Sequence, residues 1–178
     1  MRKTLVTAVS VLGLTVSPLA VAGDNSVELR YGERGRITYA GAALRFGELW
    51  ARESESGHWN MRLQPVFEGG RFRYSGGSRA AGDSLNYFGL GVGFRATYER
   101  MALNPYLEIG LGATVFDQTR LGPRSFSTRF QFTEWIGAGL ELAEHVTLGV
   151  RFAHYSNANI KKPNDGLDMQ QVVLGIRF

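Results

Sequence analysis

The 178-residue chain has no cysteine, which excludes disulfide staples and every thiolate metal site. Beyond its first residues it also lacks any run of 18 uncharged apolar residues, so no later segment reads as a membrane-spanning helix. Neither sign of charge predominates. The formal net charge is +4, and Arg2 and Lys3 belong to the N-terminal segment. Without them 18 Lys and Arg face 16 Asp and Glu, a net of +2. That balance gives no basis for a nucleic-acid partner. What the chain has in quantity is 23 glycines, with 11 Phe, 7 Tyr and 3 Trp. Glycine and aromatics without helix punctuation favour an all-β chain.

The N-terminus has the layout of an export signal. Arg2 and Lys3 precede the uncharged apolar run from Thr4 to Val16, and Ala20-Val21-Ala22 supplies small residues for cleavage. Residues 1–22 are therefore expected to be a signal peptide, with residues 23–178 forming one domain. Alternation dominates that domain. Phe88, Leu90, Val92 and Phe94 alternate with Gly89, Gly91, Gly93 and Arg95, and Leu107, Ile109 and Leu111 alternate with Tyr106, Glu108, Gly110 and Gly112. Successive strand residues face opposite sides, so one face is continuously apolar and the other small or polar.

Eight such segments can be drawn, near 26–33, 37–50, 58–73, 84–98, 104–116, 127–142, 145–156 and 168–178. The polar face carries Arg45, Arg62, Arg95, Glu108, Glu141 and Arg151. Paired charges and small residues suit a narrow barrel interior, whereas a soluble sandwich would turn its apolar face inward. Connections at 33–36, 99–102 and 143–145 are brief, and those at 51–57, 75–83, 117–126 and 157–167 are mostly longer, as in barrels with short turns at one end. The last strand ends on Phe178, which resembles an outer-membrane assembly signal. The reading is an all-β, eight-stranded antiparallel transmembrane β-barrel of the bacterial outer membrane. Trp50, Trp59, Tyr87, Tyr98 and Trp135 read as girdle or lumen packing, and His58 and His145 as surface residues.

Eight strands enclose a filled interior, so chemistry belongs to the loops or the outer wall. In the seventh segment Val146, Leu148, Val150 and Phe152 face lipid, and the same parity carries His154 and Ser156 outward. Extending the parity of Val172, Leu174 and Ile176 upward puts Asp168 on that wall. With 157–167 as the connecting loop, Ser156 is expected opposite Asp168 and His154 diagonal to it. A second acid competes, since pairing Leu142 with Val146 puts Glu134 opposite His154. Hydroxyl, imidazole and carboxylate on one patch make a nucleophile, base and orienting acid; spacing alone does not choose between the acids. Nothing indicates a metal or another cofactor.

His154-Tyr155-Ser156-Asn157-Ala158-Asn159, followed by Lys162-Pro163-Asn164-Asp165-Gly166-Leu167-Asp168, resembles the signature of the lipid A 3-O-deacylases called PagL, and Ile136-Gly137-Ala138-Gly139-Leu140 is similar as well. The resemblance implies a hydrolase that removes the ester-linked acyl chain at position 3 of lipid A, with its active site facing the outer leaflet. It implies Ser156 as nucleophile, His154 as base and Asn157 as oxyanion donor. The family has Glu where this chain has Asp168, one methylene shorter. Implied partners are lipopolysaccharide and outer-membrane lipids, with a homodimer left open. Lys161 and Lys162 read as solvated loop lysines in reach of lipid phosphates. Two other functions fit the scaffold: a non-catalytic adhesin or structural barrel, and an outer-membrane phospholipase using the same side chains.

Overall fold

The structure is a computed structural model that describes residues 25–76, 82–143 and 145–178; the expected signal at 1–22 lies outside them. The strands are β1 (Ser26–Arg34), β2 (Ile37–Arg45), β3 (Trp50–Glu53), β4 (Trp59–Tyr74), β5 (Ser84–Tyr98), β6 (Asn104–Phe116), β7 (Arg120–Leu121), β8 (Arg124–Ser125), β9 (Phe130–Ala143), β10 (Val146–Ser156) and β11 (Leu167–Arg177). The large sheet runs β2-β1-β11-β10-β9-β6-β5-β4-β3, and β2 also pairs with β4, which closes the ring. β2 and β3 both lie along β4 and form one wall strand, so the barrel has eight staves, all antiparallel.

Residues 37–50 were expected as one strand, and they break between Arg45 and Trp50. β4 carries Pro65 there, which has no N–H to give the ladder, and Gly47 adopts φ 60°. Loop lengths also depart from expectation. Strand alternation places the tight 35–36 turn at the same end as the long connections 75–83, 117–129 and 157–166. The 54–58 turn joins 99–103 and 144–145 at the other end. The short-versus-long split thus holds for five of the seven connections and fails for the first two.

Alternation assigns the faces as expected. Leu107, Ile109 and Leu111 are more than half exposed, while Tyr106 and Glu108 are buried. Inside, Arg45 bridges Glu28 (2.6 Å) and Glu108 (2.7 Å), Arg95 reaches both acids (3.0 and 2.8 Å), and Glu68 accepts from Arg30 (2.5 Å) and Arg151 (3.0 Å). Buried ions are tolerated because each acid is bonded to more than one guanidinium. Glu141 is buried too, while Arg62 sits partly buried beside Glu48. Toward the end bearing the long loops the filling becomes aromatic. Tyr39, Phe72, Tyr87, Phe116 and Tyr155 stack edge and face, and Phe126 and Leu121, from the 117–129 loop with its β7–β8 hairpin, seal the mouth. Tyr87 and Trp135 are lumenal, whereas Trp50 and Trp59 stand outside, Trp59 edge-on to Tyr98.

Candidate active site

β10 alternates without a fault from Thr147 to Asn157: odd residues are buried, and even ones face out or are half-exposed. His154 and Ser156 therefore stand on the outer wall, above Val150 and Phe152. β11 begins at Leu167 and pairs Tyr155 with Leu167 and His154 with Asp168. The expected register, Ser156 opposite Asp168, is off by two residues. Such a slip keeps every side chain on its own face and changes only its neighbour. The consequence is chemical: Asp168 lies directly across from the imidazole, with Nδ1 2.6 Å from Oδ1. Both side chains are about a third exposed or slightly more (40% and 35%), at the rim of the barrel where polar groups on the lipid face cost about 0–1 kcal/mol.

β9 pairs Glu134 with His154, as expected, with the ladder slipping only at Val146/Thr147. Glu134 is exposed and makes no hydrogen bond or ion pair among the described residues. Of the two acids, Asp168 is the one in contact with His154. Its other oxygen accepts from Arg34 Nη1 at 2.9 Å. Arg34 escaped the sequence reading because only ring closure brings the end of β1 beside β11.

Ser156 Oγ accepts from the backbone N–H of Ala158 at 3.4 Å, and it is not hydrogen-bonded to His154. Asn157 points inward and is fully buried. Its Nδ2 donates to the carbonyls of Phe126 (2.7 Å) and Lys161 (2.8 Å), and its backbone N–H donates to Asn164 Oδ1 (3.2 Å). Both amide protons are committed to the loop frame, so the donor beside Ser156 is the Ala158 amide. A left-handed turn at Ala158 and Asn159 (φ 51° and 61°) follows that amide.

The 157–166 loop is tied to the hairpin loop. Ser125 N donates to Asp165 Oδ2 (2.6 Å), Asp165 N donates to Ser125 O (3.1 Å), and Arg124 Nη1 donates to the carbonyls of Asp165 (3.1 Å) and Gly166 (2.9 Å). Gly166 has φ +60°, and a Cβ there would lie 3.1 Å from His154 Cε1. Lys161 and Lys162 are exposed and pair with no acid among the described residues. Below the site the outer wall holds an open groove of about 650 Å³, lined by Tyr31, Ile136, Val150, Phe152, Gln170 and Val172 among others. Among the described residues no group of three or more His, Asp or Glu could hold a metal ion.

Ser156, His154 and Asp168 thus share one outer wall of a closed barrel. Residues 38–177 match the family model described as lipid A 3-O-deacylase (PagL). The chain belongs to this family. It is 32% identical over 138 residues to lipid A deacylase PagL of Pseudomonas aeruginosa, covering 75% of this chain and 77% of that protein. It is 34% identical over 131 residues to lipid A deacylase PagL of Bordetella bronchiseptica, covering 73% and 70%. The crystal structure of the outer membrane enzyme PagL superposes with a TM-score of 0.71 at 27% identity, covering 85% of this chain and 98% of that one. The N-terminal β-barrel domain of Pseudomonas aeruginosa OprF and Yersinia pestis Ail each give 0.51 at 13% identity. These last two share the fold alone, so PagL membership rests on sequence carried over most of the chain.

Proposed function

We propose that the chain hydrolyses the ester holding the acyl chain at position 3 of lipid A, as a serine hydrolase whose site faces the outer leaflet. The observation that carries the reading is the 2.6 Å contact between His154 Nδ1 and Asp168 Oδ1, on the same wall as Ser156, in a chain of the PagL family. With Nδ1–H held by the carboxylate, Nε2 keeps the lone pair and is the nitrogen that acts as base. Ser156 Oγ attacks the ester carbonyl while Nε2 takes its proton. The Ala158 amide, bonded to Ser156 Oγ in the resting site, passes its hydrogen bond to the substrate oxygen that becomes negative, a contribution worth about 2.7–4 kcal/mol where such donors have been removed. The tetrahedral intermediate collapses, the sugar oxygen leaves with the proton from Nε2, and an acyl-serine remains. Water then attacks the acyl carbon, giving its proton to Nε2, and Ser156 departs as the hydroxyl, releasing a free fatty acid. The missing His154–Ser156 hydrogen bond is the one that substrate must draw together, as in other resting sites.

The outer wall is where a lipid ester can be met without leaving the membrane. The apolar groove beneath the histidine suits an acyl chain with its carboxyl end at the rim. Residues 1–22 serve as the export signal, and the end bearing 75–83, 117–129 and 157–166 faces outward. Incubating the purified barrel with lipid A and, separately, with phospholipid, then weighing the products, tests the assignment. Lipid A should lose one acyl chain and yield a free 3-hydroxyl on the sugar. Release of fatty acid from phospholipid alone would replace this reading with a phospholipase.

A further inference from the structure

We propose that Arg34 is a positioning residue for hydrolysis: it holds one oxygen of Asp168 so that the other stays aimed at His154. The inference rests on the Ser156–His154–Asp168 reading and extends it to a residue outside the 38–177 stretch that matches the family.

Asp168 is held from two sides. Oδ1 meets His154 from β10, and Oδ2 meets Arg34 Nη1 from the end of β1, at 2.9 Å. A half-exposed aspartate at the rim has water as a competing donor and free rotation of its carboxylate. Occupying both oxygens from opposite directions removes that freedom. The pairing is selective, because the guanidiniums of Arg36, Arg71 and Arg73 at the same end contact no acid among the described residues, and Glu33 beside Arg34 does not capture it. The approach depends on Gly32, the last β1 residue paired with β11. Any Cβ there would collide with the Gln170 carbonyl oxygen and sit 3.2 Å from Met169 Cγ. A bare glycine lets β1 lie close enough to β11 for Arg34 to reach over.

Exposure decides what this ion pair does. With side chains 48% and 35% exposed, it adds little to folding, as surface pairs generally do. Misplacing a catalytic group by about 1 Å can cost about 10²-fold in rate. The expected signature is a catalytic loss without a folding loss, transmitted only through Asp168.

A double-mutant cycle reads this directly, using the full barrel, initial rates on lipid A and a heat-shift gel for folding. Arg34→Gln should lower kcat about tenfold with KM within about twofold, and Arg34→Lys should recover part of it. In an Asp168→Asn background the same Arg34→Gln change should alter the residual rate by less than about twofold, since the group it acts through is gone. Equal losses in both backgrounds would overturn the inference. So would an effect confined to KM that vanishes on lipid A stripped of phosphate, because Arg34 would then be a substrate contact. Near-parental activity of Asp168→Asn alone would instead overturn the triad reading, and the Arg34 inference with it.

Discussion

His154 and Asp168 face each other directly across β10 and β11, and their side chains meet at 2.6 Å on the outside of the barrel. Glu134 occupies the equivalent position on the other flank of His154, on β9, and makes no hydrogen bond or ion pair among the described residues. The two acids therefore differ in contact and not in register. Asp168→Asn should reduce turnover by up to about 10⁴-fold, the loss seen when an orienting carboxylate can no longer hold the imidazole tautomer. Glu134→Gln should stay within about threefold of the parent, as expected for an exposed side chain with no partner. Initial rates on one lipid A preparation compare them; a crippled Glu134→Gln enzyme would move the acid to β9.

Gly166→Ala should impair catalysis while leaving the barrel closed. The residue sits at φ +60°, where a side chain costs about 1–2 kcal/mol, and the new methyl would press within 3.1 Å of His154 Cε1. Activity loss with an unchanged heat shift on a gel is the expected pair of results; an unaffected rate would mean that the histidine can move aside freely.

Arg124→Ala removes two hydrogen bonds to the carbonyls of Asp165 and Gly166, immediately before the aspartate strand. The loop behind the site should loosen, so proteolysis within 157–166 should quicken and kcat should fall, with β10 and β11 intact. Asp165→Ala should behave alike, because it breaks the bond to the Ser125 amide. Unchanged proteolysis in both variants would show that the two loops do not depend on each other.

Much of this arrangement is written in local alternation, and what is missing from it is non-local. Period-two patterning in 145–156 places His154 and Ser156 outward because each faces the side that Val150 and Phe152 face. The same patterning is blind to a slip of two, which is why Asp168 was expected opposite Ser156 and lies opposite His154. Glu28, Arg30 and Glu68 complete the lumenal ion network, yet single strands do not reveal which charges converge across a ring. Arg34 depends on the closure of β1 against β11, the contact between the most distant parts of the domain. Asn157 carries the amide expected of an oxyanion donor, but its burial and its bonds to Phe126 and Lys161 follow from loop packing that no residue spacing announces.

Ser156 performs the attack with His154 as its base in the proposed reaction, and each side chain can be removed without touching the barrel interior. Both side chains lie at the barrel surface and take no part in the packed lumen, so Ser156→Ala and His154→Ala should fold with the parental heat shift. Mass spectrometry of lipid A after incubation with each variant should show no loss of the position-3 acyl chain under conditions where the parent converts it fully. A folded Ser156→Ala barrel that still releases that chain would mean that another group makes the attack.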